Sequence, residues 1–207
     1  MKKTIILLFL CNSIFCYTQN YKFNILTKYK STNGFLKETV VYSNKENDNY
    51  FLKLKKHENE TIAYLTDLKN LKKHRFKVIE SKGKLNEFFF QFVYLDTDIY
   101  YIHNPFKDNY FKFETKKSDS LSKIVKMYTV NKRDKIINNS ELKIKKYSHN
   151  LFPVFRFSCL HPYEDAVEEK NMGTGIVQSY QSNNKKKRTY IYLDYFKEVN
   201  FELEVLQ

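Results

Sequence analysis

The residues of this chain that could do chemistry are few and scattered. Its five histidines are His57, His74, His103, His149 and His161. No two lie four residues apart on a common helix face, and there is no Cys-x-x-Cys pair, so the spacing supports no metal ligand set and no cofactor. His161 stands near Glu164, Asp165, Glu168 and Glu169, which reads as an acidic first helical turn rather than a cation site. Asp96, Asp98 and His103 flank Tyr100 and Tyr101 before Pro105, the main polar-aromatic cluster, and its composition suggests a loop. Cys159 lies in the apolar stretch Phe155-Arg156-Phe157-Ser158-Cys159-Leu160, where a thiol is expected to be buried and inert. A hydrolase built on His103 or Cys159 lacks a partner at usable spacing. No phosphate-binding glycine loop, nucleophile elbow or readable carboxylate pair is present. The residues point to a protein that is not an enzyme.

The start of the chain has a lysine pair, an apolar run from Ile5 to Leu10, and then Cys16 and Thr18 as small residues at −3 and −1 of a cut. This pattern predicts a secretory signal peptide over residues 1–18. The run is too short for a bilayer, which needs roughly 20 apolar residues. Lipidation at Cys16 or Cys11 is disfavoured, because Phe15 and Leu10 precede them where small residues belong. Cleavage removes Lys2 and Lys3 and no acid, so the net charge falls by two, from +13 to +11. It also removes two of the three cysteines. The domain at residues 19–207 is then expected to be held by its core, without a disulfide.

With 17 Tyr, 18 Phe and no Trp, and with Ala63 and Ala166 as the only alanines, the composition favours strands. Apolar and polar residues alternate in Tyr21–Ile25 and again in Val199–Val205, the mark of antiparallel strands with one wet face. The expected fold is mainly β. It is an antiparallel meander forming a curved sheet or open barrel of about ten strands, with one short helix from His161 to about Lys170. Val154–Cys159 reads as one of the strands. Phe88–Leu95 is apolar on both faces, which suggests a strand covered on both sides, central or roofed.

Two surfaces follow. Phe88, Phe90, Phe92, Tyr94, Tyr100, Tyr101 and His103 form a candidate aromatic ligand-binding set for an apolar or amphipathic, lipid-like molecule. Lys185, Lys186, Lys187 and Arg188 probe a second possibility: contact between basic loops and an anionic lipid or polysaccharide of the envelope. Export removes a genomic nucleic acid from the list of partners, and no apolar run beyond the leader is long enough to cross a membrane. The expected location is the periplasm or the outer membrane.

The opening strand Tyr21–Lys30, the strand and turn Val40-Val41-Tyr42-Ser43-Asn44 and a closing hairpin within Tyr190–Val205 together resemble exported β-rich proteins of Bacteroidota. More distantly, a leader followed by about ten antiparallel strands resembles the lipoprotein-carrier (LolA/LolB-like) fold. That resemblance implies acyl chains held on a concave aromatic face. It differs here in helix content, since that fold uses several helices as a lid.

Overall fold

The computed structural model describes residues 18–32, 38–82, 88–101, 108–161, 164, 168–170, 172–182 and 189–206. The predicted leader, His103 and the Lys185–Arg188 run lie outside them. The elements are β1 (Thr18–Ser31), β2 (Glu38–Ser43), β3 (Tyr50–Lys56), β4 (Thr61–Asp67), β5 (Lys72–Lys82) and β6 (Phe88–Ile99). There follow β7 (Tyr110–Ser118), β8 (Ser122–Val130), β9 (Ile136–Lys145), α1 (Phe152–Cys159), β10 (Glu168–Lys170), β11 (Ile176–Ser182) and β12 (Tyr190–Leu206). The fold is mainly β, as expected. All strands form one open sheet in the order β10-β7-β8-β9-β11-β12-β1-β2-β3-β4-β5-β6. Eleven strands pair antiparallel, and the short β10 adds to β7 in parallel.

The sheet is organised by its two longest strands, β1 and β12, which pair from Thr18↔Leu206 to Ser31↔Ile191. Alternation along β1 buries Tyr21, Phe23, Ile25, Thr27 and Tyr29 while lysines and asparagines point outward. A register shift between Phe23 and Ile25 divides this row between two cores.

The first core is built around α1. Phe152 meets the rings of Phe111 and Phe113 on β7, and Phe155 meets Tyr29 on β1 and Tyr180 on β11. One short helix thus touches strands five places apart in the sheet, so this half rolls into a trough around it. Tyr29 closes the trough by donating its hydroxyl to the carbonyl of Val177 at 2.8 Å.

The second core lies on the opposite face. Successive residues of a strand point to opposite sides. On β3, Phe51 stacks on Phe157 of α1 at 4.3 Å, while its neighbour Leu52 packs with Tyr42, Leu65 and Phe76. Across this face Phe92 of β6 stacks on Phe201 of β12 at 5.8 Å, although five strands separate them in the sheet. The two halves therefore roll in opposite senses, and β2 and β3 are covered on both sides.

Four expectations are corrected. Val154–Cys159 is helical, not extended. Pro153 sits in the first turn and every residue from Phe152 to Ser158 is buried, so the segment lacks the alternation of a half-buried strand; it is covered all round, with Arg156 paired to Asp48 and Glu169 and Ser158 bonded to the Val154 carbonyl. The helix expected over His161–Lys170 is replaced at its end by β10. At its start the Glu164 amide donates to the His161 carbonyl at 2.7 Å and its carboxylate accepts from the His161 amide at 2.9 Å, while residues 162, 163 and 165–167 lie outside the described residues. Phe88–Leu95 is neither central nor roofed, because β6 ends the sheet. The closing hairpin is one 17-residue strand that the register shift bends without turning it back.

Candidate functional site

Along β6, Phe90, Phe92 and Tyr94 share the face of the second core. Phe92 is packed against Phe201, and Tyr94 rests edge-on against Phe76 at 5.7 Å while 45% exposed. Phe90, 46% exposed, reaches past the core into a groove of about 560 Å³. Val40, Leu54 and Val78 line the same groove, brought together because Val40 pairs with Leu54 across β2 and β3 while Val78 lies on β5. Its rim carries Lys56 and His57 together with Glu38 and Glu80, and the Val40↔Leu54 register sets Glu38 across from Lys56, while the Lys55 amine lies on the other face over the Tyr64 ring at 5.2 Å. The groove is the open end of the second half-barrel, apolar within and charged at its rim. Its volume falls in the ~300–1,000 Å³ range of small-molecule sites.

The remaining predicted residues do not converge on this groove. Tyr100 borders a smaller recess of about 100 Å³ on the α1 side, with Phe51, Phe157, Leu160 and Lys53. Tyr101 is almost fully solvent-exposed. The side chain of Phe88, and all of His103 and Lys185–Arg188, lie outside the described residues. Asp96 and Asp98 are strand residues of β6, not loop residues, and Asp96 is bonded to Arg75. Sequence reasoning missed Val40, Leu54 and Val78, each of which resembles any inward residue of an alternating strand. Only the rolling of the sheet places them at an opening.

A buried polar chain crosses the second core. The donor order that satisfies every member runs from the Tyr94 hydroxyl to Thr97 (2.7 Å), from Thr97 to His74 Nδ1 (2.6 Å), and from His74 Nε2–H to the Tyr21 oxygen (3.3 Å). Tyr21 in turn donates to Asp67 at 2.8 Å. Burial, then nearby Lys72, pushes the His74 imidazole below its ordinary value, with Asp67 opposing. Burial and the Asp67 carboxylate push the Tyr21 phenol far up. His74 is fully buried, so this network braces the core, and Tyr94 and Thr97 carry it out to the surface.

Cys159 packs beside the first core, and burial raises its thiol far above the usual range, with Lys53 opposing weakly. A nucleophile needs the reverse. Among the described residues, no three His, Cys, Asp or Glu side chains gather as metal ligands would. No helix among them is long and apolar enough to cross a membrane. A scan against protein-family models finds no match for this chain, nor does a search of curated proteins.

Proposed function

We propose that this is an exported, non-enzymatic β-domain that holds an anionic amphiphile. The apolar tail lies in the groove lined by Val40, Leu54, Val78 and Phe90, and the head is at Lys56 on its rim. The observation that carries the reading is the groove itself: an apolar interior opening onto a charged rim on which Lys56 stands among Glu38 and Glu80. A net charge of +11 once the leader is removed supports it by drawing anions toward the surface. The lipoprotein-carrier likeness and the periplasmic or outer-membrane location belong to the same proposal.

The test is uptake of a fluorescent fatty-acid analogue by the wild type, Phe90→Glu and Lys56→Glu. A carboxylate in the apolar groove is expected to weaken binding by at least about tenfold, since each tenfold is only ~1.4 kcal/mol and an unpaired buried charge costs more. The lysine variant should lose the salt dependence of binding. A wild type that takes up no amphiphile refutes the proposal. Salt-sensitive binding to anionic vesicles that Phe90→Glu leaves unchanged favours the charge-only contact with an envelope surface instead.

A further inference from the structure

The outer edge of β6 poses a separate question. Among the described residues β6 pairs with β5 alone, and it is twelve residues long. Natural edge strands are blunted by lysine, proline, short length or a bulge, because an open row of amides and carbonyls recruits further strands. β6 has no lysine and no proline. Its one irregularity is at Leu95, where the register with β5 shifts between Arg75 and Phe76, so Phe88–Tyr94 remains regular. This stretch is uncharged in a chain of net charge +13, and beside it Val93, Leu95 and Ile99 are exposed, Ile99 by 66%.

We propose that β6 is the interface of a symmetric dimer, in which two copies join their sheets edge to edge about a two-fold axis at Gln91. The pattern of the strand is self-complementary about that residue. Antiparallel pairing centred there sets Phe90 opposite the second copy's Phe92, Phe89 opposite Val93 and Phe88 opposite Tyr94, with Gln91 facing its own copy. Aromatic and β-branched cross-strand pairs of this kind stabilise sheets. A contact that repeats itself under a two-fold is the commonest route to a closed oligomer.

Charge is compatible with the same partner. On β5, Arg75 and Lys73 stand opposite Asp96 and Asp98, and Glu80 lies two residues from Lys82, so each end of the strip carries both signs. Docking along Phe88–Tyr94 confines the meeting of two strongly basic molecules to their neutral strip.

Gln91 is exposed, so its replacement tests the interface without touching a core. Sedimentation over a concentration series should show the wild type dimerising. Gln91→Lys and Gln91→Glu each place like charges directly across the axis, and each should raise the dimer dissociation constant at least about tenfold. An equimolar mixture of the two should restore association, because lysine then meets glutamate. A monomeric wild type overturns the proposal. So does a dimer indifferent to Gln91→Lys, or a mixture that stays dissociated. None of these outcomes depends on whether the groove binds an amphiphile.

Discussion

Replacing Phe155 with alanine tests whether α1 is the centre of the first core. The side chain is fully buried, with ring centroids at 5.5 Å from Tyr29, 5.5 Å from Tyr180 and 6.0 Å from Phe152. Emptying such a site costs ~3–5 kcal/mol, and three lost ring contacts place this one in the upper half of that range. Alanine is the better helix former, so intrinsic propensity works against the loss and leaves packing as its cause. With a urea dependence of ~2.5 kcal/mol per molar, a loss of ~4 kcal/mol lowers the unfolding midpoint by about 1.5 M. Far-UV circular dichroism and tyrosine fluorescence both follow the transition, since the chain has no tryptophan. Tyr101→Ala, at a side chain 79% exposed, should stay within ~0.5 kcal/mol of the wild type. A shift for Phe155→Ala below about 0.5 M at unchanged slope would refute the reasoning, because no ring seated between three others leaves so little behind.

Three further outcomes follow from the buried groups. His74 is held neutral below its ordinary pKa of 6.5, so the unfolded chain binds a proton that the folded one refuses. Its contribution is complete above 6.5 and shrinks as pH falls through and below that value, until the folded imidazole also protonates. Urea midpoints from about pH 7.5 to about 5 should therefore decline, and His74→Gln should flatten the decline; an identical slope in the variant disproves it. Cys159, partly buried and with its thiol raised, should react with a thiol reagent at neutral pH much more slowly than a free cysteine, and labelling as fast as that of a free cysteine would contradict this. Gly175 has φ +132°, and a Cβ there would sit 2.5 Å from Ile144 Cγ2 and 2.9 Å from the Lys145 carbonyl oxygen, which is backbone and cannot swing away. Gly175→Ala should cost ~2 kcal/mol or more. Gly173→Ala should cost only ~1 kcal/mol, because its Cβ would meet nothing nearer than the Lys123 amine at 3.5 Å. Equal losses in the two variants would contradict the difference.

The fold class was legible because most strands bury one face, and β1 announces itself by alternation over its whole length. The boundaries of β3 follow from the polar turns on either side. The helix was illegible for the opposite reason. Burial of every residue from Phe152 to Ser158 erases periodicity of any kind, and only Pro153 hinted at a helical first turn. The site was half legible. Phe90 stood out within an aromatic run, whereas Val40, Leu54 and Val78 become a groove only through pairing between β2 and β3 and the rolling of β5 toward them. Strand pairing at that distance leaves no mark in local sequence.

The segments Tyr50-Phe51-Leu52 and Phe90-Gln91-Phe92-Val93 show why an apolar run does not specify its own burial. Both place bulky side chains on two faces of a strand. In β3 both faces are covered, by α1 on one side and the second core on the other, because β3 lies where the oppositely rolled halves overlap. Among the described side chains of β6, Phe92 packs into the core, whereas Phe90, Val93 and Tyr94 keep more than a third of their surface in water. The difference is position in the sheet, which is decided by β1 pairing with β12 across the whole chain. Apolar surface left at a sheet edge is costly for a monomer, as an aggregation hazard and as lost burial. The same strand supplies Phe90 to the groove and Gln91 to the proposed axis, so both proposals rest on surface that the position of β6 in the sheet leaves uncovered.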